Sequence, residues 1–208
     1  MTQSGHHAEH AVTCRPQPAK CIMYMYNASC TSRVKSAAMT WLQPVLLQGS
    51  RASLAPLSHG HTNDLVEALQ DGELWKLWYT SIPAPDKLGE FIDQRLAAQA
   101  KGSLLPFAVI DNTTAKAVGM TNYLNVEPDH RRVEIGGTWY RKSVQRSQVN
   151  TQCKFLLLDH AFDALRCIAV EFRTHFFNYH SRSGIERLGA KLDGVLWQME
   201  RPRPPEIG

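Results

Sequence analysis

RVEIGGTWYRKSVQRSQVNTQCK, residues Arg132–Lys154, decides how this chain reads. Val133, Ile135 and Trp139 make an apolar strand interrupted by Gly136-Gly137. A basic, polar loop spans Arg141 to Gln148, and an apolar helix begins near Asn150. Two glycines inside a strand predict a bulge or a close approach of backbone to a ligand. A helix N-terminus carries unpaired N–H groups and the positive end of the dipole. Strand, polar loop and helix start therefore form a layout suited to phosphate.

Outward from that stretch, the helix carries Phe155, Leu158, Phe162 and Leu165 on one stripe with Ala161 beside them. Ile168 to Thr174 reads as a further strand, Ser181 to Leu188 as a helix ended by Gly189, and Lys191 to Met199 as a last strand. Upstream, Leu105 to Ile110 and Ala117 to Asn125 form a hairpin across Asp111-Asn112-Thr113-Thr114. With the strand Arg132 to Tyr140 they make three consecutive antiparallel strands. Before them come the strand Ala52–Leu57, a helix from an N-cap at Ser58 to Gln70, an aromatic piece Leu74 to Tyr79, and a helix Asp86 to Ala100. The order β-α-α-β-β-β-α-β-α-β predicts an α+β, or mixed α/β, sheet with helices on its faces.

At 208 residues the chain holds one domain, with or without a tail. A hydrophobic content of 43% supplies a sizeable core, and a net charge of +4 suits a small anionic ligand. It falls short of the dense basic patch of a nucleic-acid binder, although Arg131, Arg132, Arg141, Lys142 and Arg146 admit that reading. Five cysteines without a CxxC pair fit reduced thiols in a cytoplasm, and no apolar run is long enough to span a membrane. Residues 1–38 read as a disordered leader, with Cys14, Cys21, Cys30, His6, His7 and His10 lacking metal-finger spacing. Met39 then reads as a candidate start, residues 39–199 as the domain and residues 200–208, ERPRPPEIG, as an irregular tail.

Three stretches together resemble the GNAT superfamily of N-acyltransferases, and within it the ribosomal-protein (RimJ/RimL-like) branch. They are SRASLAPLSHGHTNDL (50–65), VEIGGTWYRKSVQRSQVNT (133–151) and FFNYHSRSGIERLGAK (176–191). The resemblance covers about Gly49 to Met199 and implies a mostly antiparallel sheet flanked by helices. It implies acetyl-CoA as acyl donor and a primary amine, on a protein N-terminus or a small molecule, as acceptor. No membrane or nucleic-acid partner is implied, and homodimerisation is left open.

By the same resemblance, backbone groups of Ile135, Gly136, Gly137, Thr138 and Trp139 hold the pantetheine arm. Gln145, Arg146, Ser147, Gln148, Val149, Asn150 and Thr151 hold the diphosphate, and Asn178, Ser181 and Arg182 lie near the thioester. Gln148 and Asn150 stand where the family's loop has small residues, glycine above all, which reach left-handed backbone at little cost. The family also carries one more strand after the counterpart of Lys191 to Met199, inserted between the two before it. Here the chain runs into RPRPPEIG instead. That strand reads as missing, with a shortened reading frame or a strand from another chain as the alternatives.

Acyl transfer to an amine requires a neutral nucleophile and a proton for the departing thiolate. Glu134 and Glu171 are the candidate bases, each also able to pair with a neighbouring arginine. Tyr140 and Ser143 are the candidate acids. Cys153, early in a helix, reads as a core thiol, His175 as a packed histidine, and Trp75, Trp78 and Tyr79 as core or as a wall of the acceptor site. The resulting expectation is an N-acetyltransferase working by direct attack in a ternary complex. The alternative is a non-catalytic acyl-CoA-binding or truncated module.

Overall fold

The computed structural model describes residues 20–26, 41–77 and 80–196. Trp78, Tyr79 and the tail 197–208 lie outside them, as does the rest of the leader. Among the described residues eight strands form one sheet: β1 (Lys20–Tyr26), β2 (Leu47–Gln48), β3 (Ala52–Pro56), β4 (Leu105–Asp111), β5 (Lys116–Glu127), β6 (Arg132–Tyr140), β7 (Ala169–His175) and β8 (Lys191–Leu196). Their spatial order is β2-β3-β4-β5-β6-β7-β1-β8. Every neighbouring pair is antiparallel except β6 with β7. The mixed, mostly antiparallel sheet with flanking helices is the expected fold class.

Four α-helices among the described residues cover the two faces. They are α1 (Thr62–Gln70), α2 (Leu88–Ala100), α3 (Gln148–Asp159) and α4 (Tyr179–Glu186). Ser58 does cap the first helical segment, in a reciprocal capping box with His61 around a 3-10 turn that precedes α1. One core packs α1 and α2 against Ala108, Ala117, Met120 and Trp139. The other packs α3 and α4 against Phe107, Tyr123, Val133, Ile135, Val170 and Phe172. Period-2 alternation along each strand feeds both cores. The buried apolar residues of α3 are Val149, Cys153 and Leu157, four apart, with Leu158 beside them, and Ala161 continues the row in the turn that follows; Lys154 is buried too. Phe155, expected in that stripe, is 54% exposed.

Two expectations need correction. The leader 1–38 is not wholly outside the fold, because Lys20–Tyr26 forms β1. The sheet also lacks no strand at the expected place. β1 lies between β7 and β8 and pairs antiparallel with both, the slot assigned to a strand following β8. Met23 of β1 is fully buried in the α3-side core. The run KCIMYMY is continuously apolar after Lys20, a pattern a doubly covered strand shares with other buried segments. Its partners lie far along the chain, so no local signal tied it to them.

Candidate active site

The site begins where β6 and β7 part. They pair in parallel at Arg132↔Ala169, Val133↔Val170 and Glu134↔Glu171, and no further. Both strands continue, to Tyr140 and to His175. Their far edges stay paired, β6 to β5 and β7 to β1. The two facing edges diverge, so main-chain groups there are available to a guest that adds like a strand.

A bulge in β6 starts the divergence, and the β5–β6 register shifts between Met120 and Asn122. Gly137 has φ +57°, and a Cβ on it would lie 2.7 Å from Asn122 Nδ2. The Asn122 amide donates to the carbonyls of Gly136 and Gly137, at 3.1 and 3.2 Å, from a position 1% exposed. Asn122 thus pins the bulge. Its role was not anticipated from the sequence, although an asparagine between Met120 and Tyr123 in a mostly apolar stretch of β5 was a signal.

The wide end of the opening meets the loop and the start of α3. Ser147 is the N-cap, its Oγ accepting from the Val149 N–H at 3.2 Å. The left-handed residue of this loop is Arg146, at φ 62°. Gln148 and Asn150 are helical, so the absent glycines cost no strain there. Arg146, Ser147 and Gln148 are exposed, whereas Val149 is buried. Gln145 donates from its amide to the Tyr140 carbonyl at 3.1 Å. Thr151 accepts from Arg187 of the α4 C-terminal turn at 2.8 Å, which ties α3 to α4.

Asp71, after α1, braces the loop from outside. Its carboxylate accepts from the Ser143 N–H and from Arg141 Nε, both at 3.0 Å, while its carbonyl accepts from the Lys142 N–H. Hydrogen bonds from Ser143 and then Arg141 hold its pKa down at about 2. Arg141 also pairs with Glu67 at 3.1 Å, so its charge is spent on the fold. An open concavity of about 440 Å³ touches Ser147, Gln148 and Val149 on this outer side.

Glu134 and Glu171 come together at the vertex. Strand alternation sets them on the α1/α2 side of the sheet, opposite Val133 and Val170. Their side chains are 7% and 2% exposed. Arg173 reaches both, at 3.3 Å to Glu134 and 2.9 Å to Glu171, and Arg132 reaches Glu171 at 3.2 Å and Glu127 at 2.7 Å. Asn125 donates to Glu134 at 2.6 Å. The carboxylates are thus compensated and oriented, as buried charge requires.

The remaining candidates separate by face. Tyr140 is buried in the α3-side core beside the Cys153 thiol, and burial raises its pKa well above the phenolic value. Burial also pushes the Cys153 thiol up to about 11, which leaves it an inert core group. Trp139 sits in the other core, 4% exposed. Thr138 faces α3, its Oγ1 within 2.7 Å of Lys154 Nζ. Asn178 caps α4, accepting from the Ser181 N–H at 3.1 Å, and its Nδ2 has no partner among the described residues. Arg182 stacks over Phe176 and Tyr179. His175 Nδ1 accepts from the Phe177 N–H, as a packed histidine would. Trp75 is half-buried against the α1/α2 core.

A strand pair that splays at a pinned bulge, with a helix N-terminus at its mouth, is accompanied by a domain match. The acetyltransferase (GNAT) domain family matches residues 51–191. The chain belongs to the GNAT acetyltransferase family. It is therefore an N-acetyltransferase of a family that uses acetyl-CoA as donor. Solved structures agree. A T. thermophilus protein assigned as an acetyltransferase is 28% identical, covering 75% of this chain and 80% of that one at a TM-score of 0.65. A GCN5-related N-acetyltransferase from Brucella melitensis is 24% identical, covering 74% and 71% at 0.65, and shares the fold. So does the Salmonella typhimurium acetyltransferase that modifies the N-terminal serine of ribosomal protein L7/L12, 15% identical, covering 72% and 87% at 0.62. No curated protein matches the sequence.

This GNAT domain fits its donor on observed grounds. The open edge of β6 supplies main-chain groups, Gly137 keeps a Cβ out of the bulge, and α3 presents its N-terminus. Among the described residues, no helix is long and apolar enough to cross a membrane.

Proposed function

We propose that this enzyme moves the acetyl group of acetyl-CoA to a primary amine, on a protein N-terminus or a small molecule, by direct attack in a ternary complex. The carrying observation is the divergence of β6 and β7 just past Glu134↔Glu171, at a bulge pinned by Asn122. Main-chain groups from Ile135 to Trp139 align the arm. The first turn of α3, from Ser147 to Asn150, receives the diphosphate with Arg146 and the conformation set by Gln145. Thr151 supports that turn through Arg187. Asn178 offers Nδ2 from α4, with Ser181 and Arg182 holding the helix start.

The carboxylate face receives the acceptor. Glu171 is anchored by two arginines, so it orients the cluster. Glu134 lies two residues before the bulge and takes the ammonium proton, directly or through water. A β6 N–H stabilises the oxygen that gains charge at the thioester. Tyr140, enclosed beside Cys153, we assign to packing, so the departing CoA thiolate takes its proton from water. The buried free thiols of Cys153 and Cys167 suit a reducing cytoplasm.

The non-catalytic alternative rested on a distorted loop and a missing strand, and both now have a structural account in Arg146 and β1. A thiol-release screen with peptide N-termini, polyamines and aminoglycosides tests the proposal. Steady release with one class identifies the acceptor. Calorimetry that finds no acetyl-CoA binding by the folded protein defeats it.

A further inference from the structure

Lys154 is 7% exposed on the inner face of α3. Its Nζ donates to Thr138 Oγ1 at 2.7 Å and lies 5.9 Å from the centre of the Phe172 ring. Thr138 belongs to the part of β6 that no longer pairs with β7, and Phe172 is the first residue of β7 past the last parallel pair. The ammonium therefore spans the two strands where they separate, on the α3 side of the sheet.

An ammonium has three N–H donors. Among the described residues Lys154 has one hydrogen-bond acceptor, and Thr138 Oγ1 is already shared with Thr121 at 2.8 Å. Among the described residues no carboxylate pairs with it. Glu134 and Glu171 project from the opposite side of the sheet, where Arg132 and Arg173 answer them. Other lysines contrast with it: Lys76 and Lys116 are half exposed or more and each pairs with a glutamate. A buried cation without a counter-charge is disfavoured unless something else uses it.

The place of Lys154 along α3 selects the ligand atom. It lies seven residues past the Ser147 N-cap, roughly 10 Å along the axis at 1.5 Å per residue. A diphosphate at the helix start is thus too far for a direct bond. The groups within reach between β6 and β7 are the carbonyls of the acyl-pantetheine arm.

We infer that Lys154 is a donor-binding residue whose ammonium hydrogen-bonds a carbonyl oxygen of the acyl-pantetheine arm between β6 and β7. The inference rests on reading that opening as the acetyl-CoA site. Thr138 aims the ammonium, and the Phe172 ring supports it from β7. Burial pushes the Lys154 pKa down to about 8. The group is charged below that pH and neutral above it. Its other neighbours are neutral through that range: Thr121 and Thr138, the Phe172 ring, the Cys153 thiol at about 11, and Tyr140, which is raised by burial.

Calorimetric titration of the full chain with acetyl-CoA, for wild type and Lys154→Met at pH 7.0 and 9.5, tests this, with thermal unfolding of both. At pH 7.0 Lys154→Met should bind ~10-fold more weakly, the loss of one charged hydrogen bond. It should melt no lower than wild type, because an uncompensated buried cation has been removed. Wild-type affinity should fall to that of the variant at pH 9.5, while the variant stays flat. Wild type that binds, with Lys154→Met within twofold of it at pH 7.0, overturns the inference and leaves the groove standing. Wild type that does not bind overturns both. Should the variant melt lower, the wild-type profile decides without it: equal affinity at the two pH values overturns the inference.

Discussion

The two edges of β7 are used differently. On one side it pairs with β1 residue by residue, from Lys20↔His175 to Tyr26↔Ala169. On the other it pairs with β6 at three positions and then parts from it. The residues of β7 are the same on both sides, so its sequence does not create the opening. β6 creates it, through the bulge at Gly136-Gly137 that Asn122 holds in place. The closed edge holds the sheet together, and the open edge is the one we propose for the ligand.

Removing β1 should have the largest effect on that comparison. A chain beginning at Met39 strips every partner from the closed edge of β7 and leaves β8 unpaired. We expect loss of cooperative unfolding and aggregation through the bare edges. Circular dichroism and light scattering would check this, and an unchanged melting curve would show that the closed edge is dispensable. Glu171→Ala comes next, because it leaves Arg132 and Arg173 without their shared carboxylate at the vertex. It should cost ~3 kcal/mol in urea unfolding.

Asn122→Ala acts on the open edge alone. Losing two bonds to the bulge should cost ~2 kcal/mol of stability and weaken acetyl-CoA binding more than a single substitution in β1 that leaves the chain folded. Normal affinity with reduced stability would mean that the bulge shapes the sheet and not the ligand site. The smallest effect is at Asn178. Asn178→Asp keeps an oxygen for the Ser181 N–H and removes the Nδ2 donor, so melting should hold while acetyl-CoA affinity drops by ~1 kcal/mol. Asn178→Ala should lose both, the cap being worth ~1 kcal/mol. Equal affinities for wild type and Asn178→Asp would remove Asn178 from the donor site.

Most of the domain was legible because its signals are local. Hairpin turns, capping residues and apolar alternation act within a few residues, and they located β3 to β8 and all four helices with modest shifts at the ends. The strand break at Gly136-Gly137 was legible for the same reason. Asn122, Asp71 and Lys154 were not, because each owes its role to a partner on another element: the bulge carbonyls, the loop amides, and Thr138 with Phe172. The tie of both carboxylates to Arg173 likewise depends on the β6–β7 register.

The sequence by itself determined that a strand with a double glycine leads through a polar loop into a helix, since backbone freedom and side-chain periodicity are written residue by residue. Only the tertiary structure decided that Lys20–Tyr26 fills the sheet between β7 and β8, and that one buried lysine stands, among the described residues, without a counter-charge where β6 and β7 separate. Strand pairing and charge compensation are contacts between distant segments. Their energies depend on which groups folding brings within a few ångströms, and no short window of sequence contains both partners.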